Sequence, residues 1–382
     1  MWKHKKKDSL DKNDIDRSFN MEMKYENSKG KKFIGHLSLG ENEALPYILV
    51  IPEDLEKEKE LVVESLNFEG TNIIDKIAPH VIEQLKDMVE VIDDAPILIP
   101  FTPDVRGGVP YYQQLSRECF EEANNGEYKI EYLRVDLQII NTINNAKNTI
   151  KQETGKDVAN KIFLNGYSSS GVFAQRFALI HPEIVGRVLI GGASGSIPLP
   201  TEEFDYPLGI KDFRELFGTD FNESKYRKIQ FAYYVGELET NTPAWERDTE
   251  GKLIERNQDG QILNRNQIIP PMHDMSYYTR SIDSRRGRHQ RQILGEDLSQ
   301  RHKNCIEWYE NNGYKITSKI YRGAEHRGIF SRSNPCFETL LRDIILFYRN
   351  GESFAKDIAG VEEISMKPQR QREQKSDKDK AD

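Results

Sequence analysis

The sequence predicts an α/β protein with a mainly parallel central sheet flanked by helices. Two observations predict it. Short apolar runs of strand length, such as Tyr47-Ile-Leu-Val-Ile51 and Phe231-Ala-Tyr-Tyr-Val235, alternate with longer stretches whose apolar residues recur at helical spacing. Midway, in Lys161-Ile-Phe-Leu-Asn-Gly-Tyr-Ser-Ser-Ser-Gly171, a buried strand passes through a turn of small residues directly into a helix. Strands joined through crossover helices run parallel, and in such sheets functional groups collect at the carboxyl ends of the strands.

In chain order, Met21 to Leu39 reads as a hairpin that turns at Asn27-Ser-Lys-Gly30. Pro46–Pro52, Leu61–Leu66 and Pro96–Pro100 read as strands, with a helix from Ile73 to about Val91 before the third. A Pro/Gly-rich loop at 101–112 precedes a long helix, about Arg134 to Gln152, that feeds the strand Ile162–Leu164. A helical pattern from Val172 to Ile180 stops at His181-Pro182. Arg187–Gly195 is another buried strand; a short helix falls near Phe213–Leu216, and the strand Gln230–Val235 ends in Gly236-Glu-Leu-Glu-Thr-Asn241. Residues 242–299 are polar and Arg-rich, and turn signals near Asp248–Gly251 and at Asp259-Gly260 predict an inserted hairpin. A helix at Ser299–Asn312, a strand at Tyr314–Tyr321, the loop Arg322-Gly-Ala-Glu-His-Arg-Gly328 and an amphipathic helix, about Pro335 to Tyr348, complete the pattern. The expected domain is 21–365 with an insertion at about 242–299. It lies between a basic tail at 1–20 and a charged tail at 366–382, both expected to be disordered.

A chain of 382 residues is ample for one large core. The net charge of −8, with no concentrated basic face, points away from nucleic acid as a partner. Three cysteines, Cys119, Cys305 and Cys336, are odd in number and far apart. They argue against a disulfide framework or a Cys-rich metal site and for a reducing, cytoplasmic setting. The basic N-terminus is followed by no apolar segment, and no apolar run approaches the ~20 residues of a membrane span.

The strand–turn–helix unit carries the chemistry. A nucleophilic serine on such a turn sits where strand and helix crowd, so the residues two before and two after it must be small. Ser168 has Gly166 behind it and Ser170 ahead; Ser169 has Tyr167 behind it, and Ser170 has Val172 ahead. Ser168 is therefore the expected nucleophile, in a Gly-x-Ser-x-Ser variant of the Gly-x-Ser-x-Gly turn. No Gly-Lys-Ser/Thr follows, which argues against a phosphate loop.

A serine hydroxyl needs an imidazole to take its proton and a carboxylate to orient that imidazole. His326, in a loop flanked by Gly323 and Gly328 after the last strand, is the expected base. Glu239, four residues past Val235, is the expected acid, with Glu237 and Asp248 as alternatives. One oxyanion donor is expected from the N–H of Ser169 and the other from Asn67 and Phe68, in the turn after Leu61–Leu66. Tyr167 and His273, the latter in Pro270-Pro-Met-His-Asp-Met275, are the candidates for lining the substrate pocket, with a solvated side chain the favoured reading of His273.

With these strand ends in place, the chain resembles α/β-hydrolases of the serine esterase type, in particular depolymerase-like esterases. Phe163-Leu-Asn-Gly-Tyr-Ser-Ser-Ser-Gly-Val-Phe-Ala-Gln-Arg-Phe-Ala-Leu-Ile-His-Pro182 resembles their nucleophile elbow. Val235-Gly-Glu-Leu-Glu-Thr-Asn241 is similar to their Gly-x-x-Asp-x-Asn acid turn, and Gly323-Ala-Glu-His326 to their histidine loop. Two positions depart from the pattern: Glu239 stands where Asp is commoner, and Asn67-Phe68 where His-Gly is usual. The resemblance covers roughly 45–350 outside the insertion. It implies an α/β-hydrolase fold and a serine hydrolase, foremost a carboxylesterase acting on a small ester or acyl substrate with no metal or organic cofactor. The same triad also serves amide cleavage or acyl transfer, and the fold also serves as a binding module. The insertion is expected to cover the site as a lid or cap, its arginines either favouring anionic substrates or only solvating the segment.

Overall fold

A computed structural model describes residues 21–38, 44–64, 85–101, 134–193, 197–237, 294–295, 298–324 and 336–354, together with residues 115, 117, 120 and 334 and the backbone of 244–247, 253–256 and 262–264. Twelve strands occur among them: β1 (Met21–Glu26), β2 (Lys32–Ser38), β3 (Tyr47–Pro52), β4 (Leu61–Glu64), β5 (Ile97–Pro100), β6 (Ile162–Tyr167), β7 (Val185–Gly191), β8 (Gln230–Gly236), β9 (Ala244–Arg247), β10 (Leu253–Arg256), β11 (Ile262–Asn264) and β12 (Ile316–Tyr321). The helices are α1 (Val135–Thr154), α2 (Ser169–Ile180), α3 (Phe213–Phe217), α4 (Glu223–Tyr226), α5 (Leu298–Asn311) and α6 (Phe337–Asn350), and residues 85–91 are also helical.

Nine strands form one sheet in the order β1-β2-β3-β5-β4-β6-β7-β8-β12. The β1–β2, β2–β3 and β3–β5 pairs are antiparallel; from β5 to β12 every pair is parallel. β6, which leads to Ser168, lies in the middle of the parallel half. The central strands β3, β4 and β5 are buried along their whole length, because the sheet is covered on both faces. One face packs Leu61, Val63, Ile162 and Leu164 against α1, α2, α3 and α5. The other packs Val62, Ile97, Ile99 and Phe163 against the 85–91 helix and α6. The architecture is thus the mainly parallel, helix-flanked sheet that the apolar runs predict.

Local chemistry explains the elements. In the β1–β2 hairpin the Asn27 side-chain oxygen accepts from the N–H groups of Lys29 and Lys31, and Gly30 supplies the left-handed residue of the turn (φ 78°). α1 buries Ile139, Ile143, Ala146 and Ile150, the stripe that makes an amphipathic helix. α2 is buried from Ser170 to Ile180, as a helix beneath a central strand must be.

Three expectations need adjusting. α2 begins at Ser169, three residues before the apolar pattern, because burial of Ser170 and Gly171 outweighs their poor helix propensity. The strand expected at Arg187–Gly195 spans Val185–Gly191. The insertion holds a three-stranded antiparallel sheet, β11-β10-β9, rather than one hairpin; the two Asp/Gly signals fall in its two connections, so each marks a reversal. The 73–84 part of the expected helix, residues 102–112 of the expected loop, and both tails lie outside the described residues.

Candidate active site

Ser168 joins β6 to α2 with φ 59° and ψ −121°. A non-glycine residue rarely adopts such a backbone, which costs about 1–3 kcal/mol and persists only where its surroundings enforce it. Here they do. The N–H of Ser168 donates to the Gly191 carbonyl on β7 at 2.8 Å, and its carbonyl accepts from Val172 in the first turn of α2 at 3.0 Å. The Ser170 hydroxyl folds back on the turn, accepting from the Tyr167 N–H at 2.7 Å and donating to the Tyr167 carbonyl at 2.8 Å. Behind the serine, a Cβ at position 166 would stand 2.3 Å from the Ser170 carbonyl oxygen, so this crossing admits only glycine.

These contacts sort the three serines. Ser170 is buried and fastens the turn with its hydroxyl. Ser169 is the first residue of α2, at the helix N-terminus, where the aligned peptide dipoles attract negative charge. Ser168, ahead of both, holds the strained position between β6 and α2. The crossing of strand and helix thus requires the glycine at 166, and the Ser170 hydroxyl has a role in the turn beyond its small size.

The next strand ends converge. β8 and β12 pair in parallel, so the turns after Gly236 and Tyr321 leave the sheet side by side. A Cβ at Gly236 would lie 2.2 Å from the Ala324 carbonyl, which places the turn after β12 directly against the turn after β8. Glu237 links the two: its N–H donates to the Tyr321 carbonyl at 2.9 Å, and its Oε2 accepts from the Gly323 N–H at 2.9 Å. Of the carboxylates weighed for the acid, Glu237 is thus engaged in anchoring the loop. Glu239, Asp248, His326, Asn67, Phe68 and His273 lie outside the described residues. Tyr167 is half-buried; its ring stacks on Tyr234 at 6.0 Å, and Tyr234 meets Tyr321 edge-on at 6.4 Å. Much of the Tyr167 ring is therefore spent on a row of tyrosines that joins β6, β8 and β12.

Several buried polar groups escaped the sequence reading. Glu64, the last residue of β4, is 5% exposed and accepts from the side-chain amide of Asn165, its register partner on β6. Burial pushes its carboxyl up to about 8 against the opposing effect of that hydrogen bond, so it is neutral at pH 7. Its only sequence signal is a carboxylate closing an apolar run. His181 is more than a helix stop: its Nε2 lies 2.8 Å from buried Asp136, which Arg134 also grips. Burial of His181 is outweighed by Asp136 and Glu183, and its imidazole is held above the ordinary value. His302 is buried with Nε2 2.7 Å from the Ser318 hydroxyl; burial, assisted by Lys303, pushes it down to about 4. Among the described residues no group of three or more His, Cys, Asp or Glu side chains is placed to hold a metal ion, and no helix is long and apolar enough to cross a membrane.

No known family model matches the sequence, and no curated protein is similar to it. Solved structures of similar fold include the poly(3-hydroxybutyrate) depolymerase LpqC from Bordetella parapertussis, 16% identical, over 85% of this chain and 90% of that one with a TM-score of 0.47. They also include an S-formylglutathione hydrolase from Agrobacterium tumefaciens, 12% identical, over 85% and 96% with a TM-score of 0.40. A third is the siderophore hydrolase EstB from Aspergillus nidulans, 10% identical, over 87% and 95% with a TM-score of 0.36. On its own strand order, strand directions and flanking helices, the chain has the α/β-hydrolase fold.

Proposed function

We propose that the protein is a serine hydrolase that cleaves carboxylic esters of small molecules through an acyl-enzyme. The observation that carries this reading is Ser168: a serine held at positive φ at the carboxyl end of a central parallel strand, against the N-terminus of a buried helix. Strain of this kind is maintained where a side chain must be presented, and the adjoining helix start favours the negative charge of a tetrahedral intermediate.

In this reading His326 takes the Ser168 proton as Oγ bonds to the acyl carbon. Glu239 orients the imidazole and balances its positive charge. The Ser169 N–H and a donor from Asn67 or Phe68 hold the oxyanion. As the bond from acyl carbon to alkoxy oxygen breaks, His326 delivers the proton to the leaving alcohol. Water, deprotonated by His326, then attacks the acyl-enzyme and releases the carboxylic acid and free Ser168. The anchoring of Gly323 by Glu237 supports the reading, because it fixes the root of the histidine loop three residues before His326.

The test is hydrolysis of a panel of p-nitrophenyl esters of increasing acyl length by wild type, Ser168→Ala and Glu239→Gln. The proposal expects turnover by wild type, loss of at least about a thousandfold in Ser168→Ala, and a large loss in Glu239→Gln with the fold intact. Equal turnover by wild type and Ser168→Ala overturns it. Full activity in Glu239→Gln moves the acid to another carboxylate.

A further inference from the structure

We propose that Glu64 is a positioning residue for this site: its carboxyl, bonded to Asn165, clamps the end of the strand that leads to the oxyanion loop against the strand that presents Ser168. The inference rests on the serine hydrolase reading above and gives that site a control of its own.

The placement is specific. β4 ends at Glu64, and the segment that begins at Ser65 contains Asn67 and Phe68. β6 is paired with β4 in parallel, with Glu64 opposite Asn165, and Ser168 follows Asn165 by three residues. The Asn165 amide donates to Glu64 Oε2, so one side-chain bond ties the roots of the two segments that must converge on an oxyanion. An asparagine–carboxyl pair is an unusual filling here. The neighbouring positions on that face, Val62, Ile97, Ile99, Phe101 and Phe163, are all apolar. A buried carboxyl carries a cost that a leucine in the same place would avoid.

Among the described residues, the groups packed on this face bring no counter-charge to Glu64. β5 contributes Ile99, Phe101 follows directly after it, and the 85–91 helix contributes Leu85 and Val89. Farther along the face, β6 and β8 contribute Tyr167 and Tyr234. Asp343 on α6 is engaged by Lys319 and Tyr321 of β12. Among the described residues no cation bonds to Glu64, and burial raises its carboxyl to about 8. Below that value the group is neutral and compatible with an oxyanion nearby. Above it a full negative charge appears about 11 Å from Ser168, taking three residues from Asn165 at ~3.3 Å each and the ~4.8 Å between β4 and β6. At an effective dielectric of about 20 a charge at that distance slows formation of an oxyanion roughly tenfold. The clamp would then also be a brake that engages as pH rises. Because Glu64 acts through the strand ends and not on bound ester, the loss falls on kcat with KM unchanged.

The experiment follows the rate of fluorophosphonate labelling from pH 6 to 9.5 in full-length wild type, Glu64→Gln and Ser168→Ala, with circular dichroism at each pH. Glutamine reproduces the neutral carboxyl and keeps an oxygen for Asn165. The proposal expects wild type to label at least about fivefold more slowly at pH 9.5 than at pH 7, with a midpoint near 8 and an unchanged fold. Glu64→Gln should not slow between pH 7 and 9.5, and kcat on a p-nitrophenyl ester should follow the same two profiles. A wild-type rate that stays flat to pH 9.5 overturns the proposal whether or not the variant folds, as does an alkaline fall that persists in Glu64→Gln. Labelling absent from wild type at every pH, or equal in Ser168→Ala, overturns the nucleophile assignment itself and the clamp with it.

Discussion

Gly166→Ala tests whether the geometry of the turn, rather than the presence of a serine, gives Ser168 its reactivity. The added Cβ would lie 2.3 Å from the Ser170 carbonyl oxygen, 2.5 Å from the Ser170 carbonyl carbon and 2.7 Å from the Gly171 nitrogen. All three are backbone atoms, so no side chain can rotate away. Real Cβ atoms keep at least 3.0 Å, so β6 and the start of α2 must separate by the difference between 3.0 and 2.3 Å, which is 0.7 Å. Ser168 sits on the connection that absorbs this shift. A misplacement of about 1 Å can cost a hundredfold in rate, so the loss expected here is between about tenfold and a hundredfold. Overpacking of this kind costs about 1–3 kcal/mol of stability, less than the 5–15 kcal/mol that typically holds a domain together, so the variant should fold. The assay is kcat/KM on a short-chain p-nitrophenyl ester, with the fluorophosphonate labelling rate and a circular dichroism melt beside it. The reasoning is refuted if the variant melts as a folded protein and keeps the wild-type labelling rate.

Ser170→Ala should retain labelling within a few-fold yet lose about 1–2 kcal/mol of stability to urea, because it removes two hydrogen bonds to the Tyr167 backbone and no reacting group; complete loss of labelling in a folded protein would transfer the nucleophile to Ser170. Glu237→Ala removes the acceptor of the Gly323 N–H and should lower kcat several-fold without abolishing it, whereas a loss equal to that of Ser168→Ala would make Glu237 the acid. The His181–Asp136 pair sets a pH window. His181 is held above its ordinary 6.5, so its contribution is full below that value and is lost as pH rises through the higher folded value. Asp136 is held below its ordinary 3.8: burial acts the other way, but His181 and Arg134 outweigh it, so its contribution is lost as pH falls through the lower folded value. The melting difference between wild type and His181→Gln should therefore be largest between about pH 4 and 6.5 and shrink at pH 9. A difference that does not vary with pH would mean that the pair is not charged in the folded state.

Much of this architecture is legible in the sequence because its strands are covered on both faces. Runs such as Tyr47–Pro52 and Gln230–Gly236 stay apolar without alternation, and a strand of that kind announces itself. The Ser168 turn is legible for a different reason: the crowding of strand on helix acts within six residues, so small residues in the right places are a local signature. What the sequence hides is long-range. Nothing in Leu61-Val-Val-Glu64 tells that Asn165, a hundred and one residues away, supplies its hydrogen bond. His181 reads as a helix stop beside Pro182, and only the packing of α2 near the start of α1 reveals Asp136 as its partner. Glu237 and Glu239 are alike in sequence; the close crossing of Ala324 over Gly236 is what brings the Gly323 N–H to Glu237. The third strand of the insertion is not legible because Ile262–Asn264 is too short to show a period.

The most direct test of the central claim is the site of covalent capture. Wild-type protein treated with a fluorophosphonate, digested and mapped by mass spectrometry should carry one phosphonyl group on Ser168, formed as its Oγ displaces fluoride, and Ser168→Ala should carry none. A modification on Ser169 or Ser170, or no modification of a folded wild type that still hydrolyses esters, would contradict the assignment of Ser168 as the nucleophile.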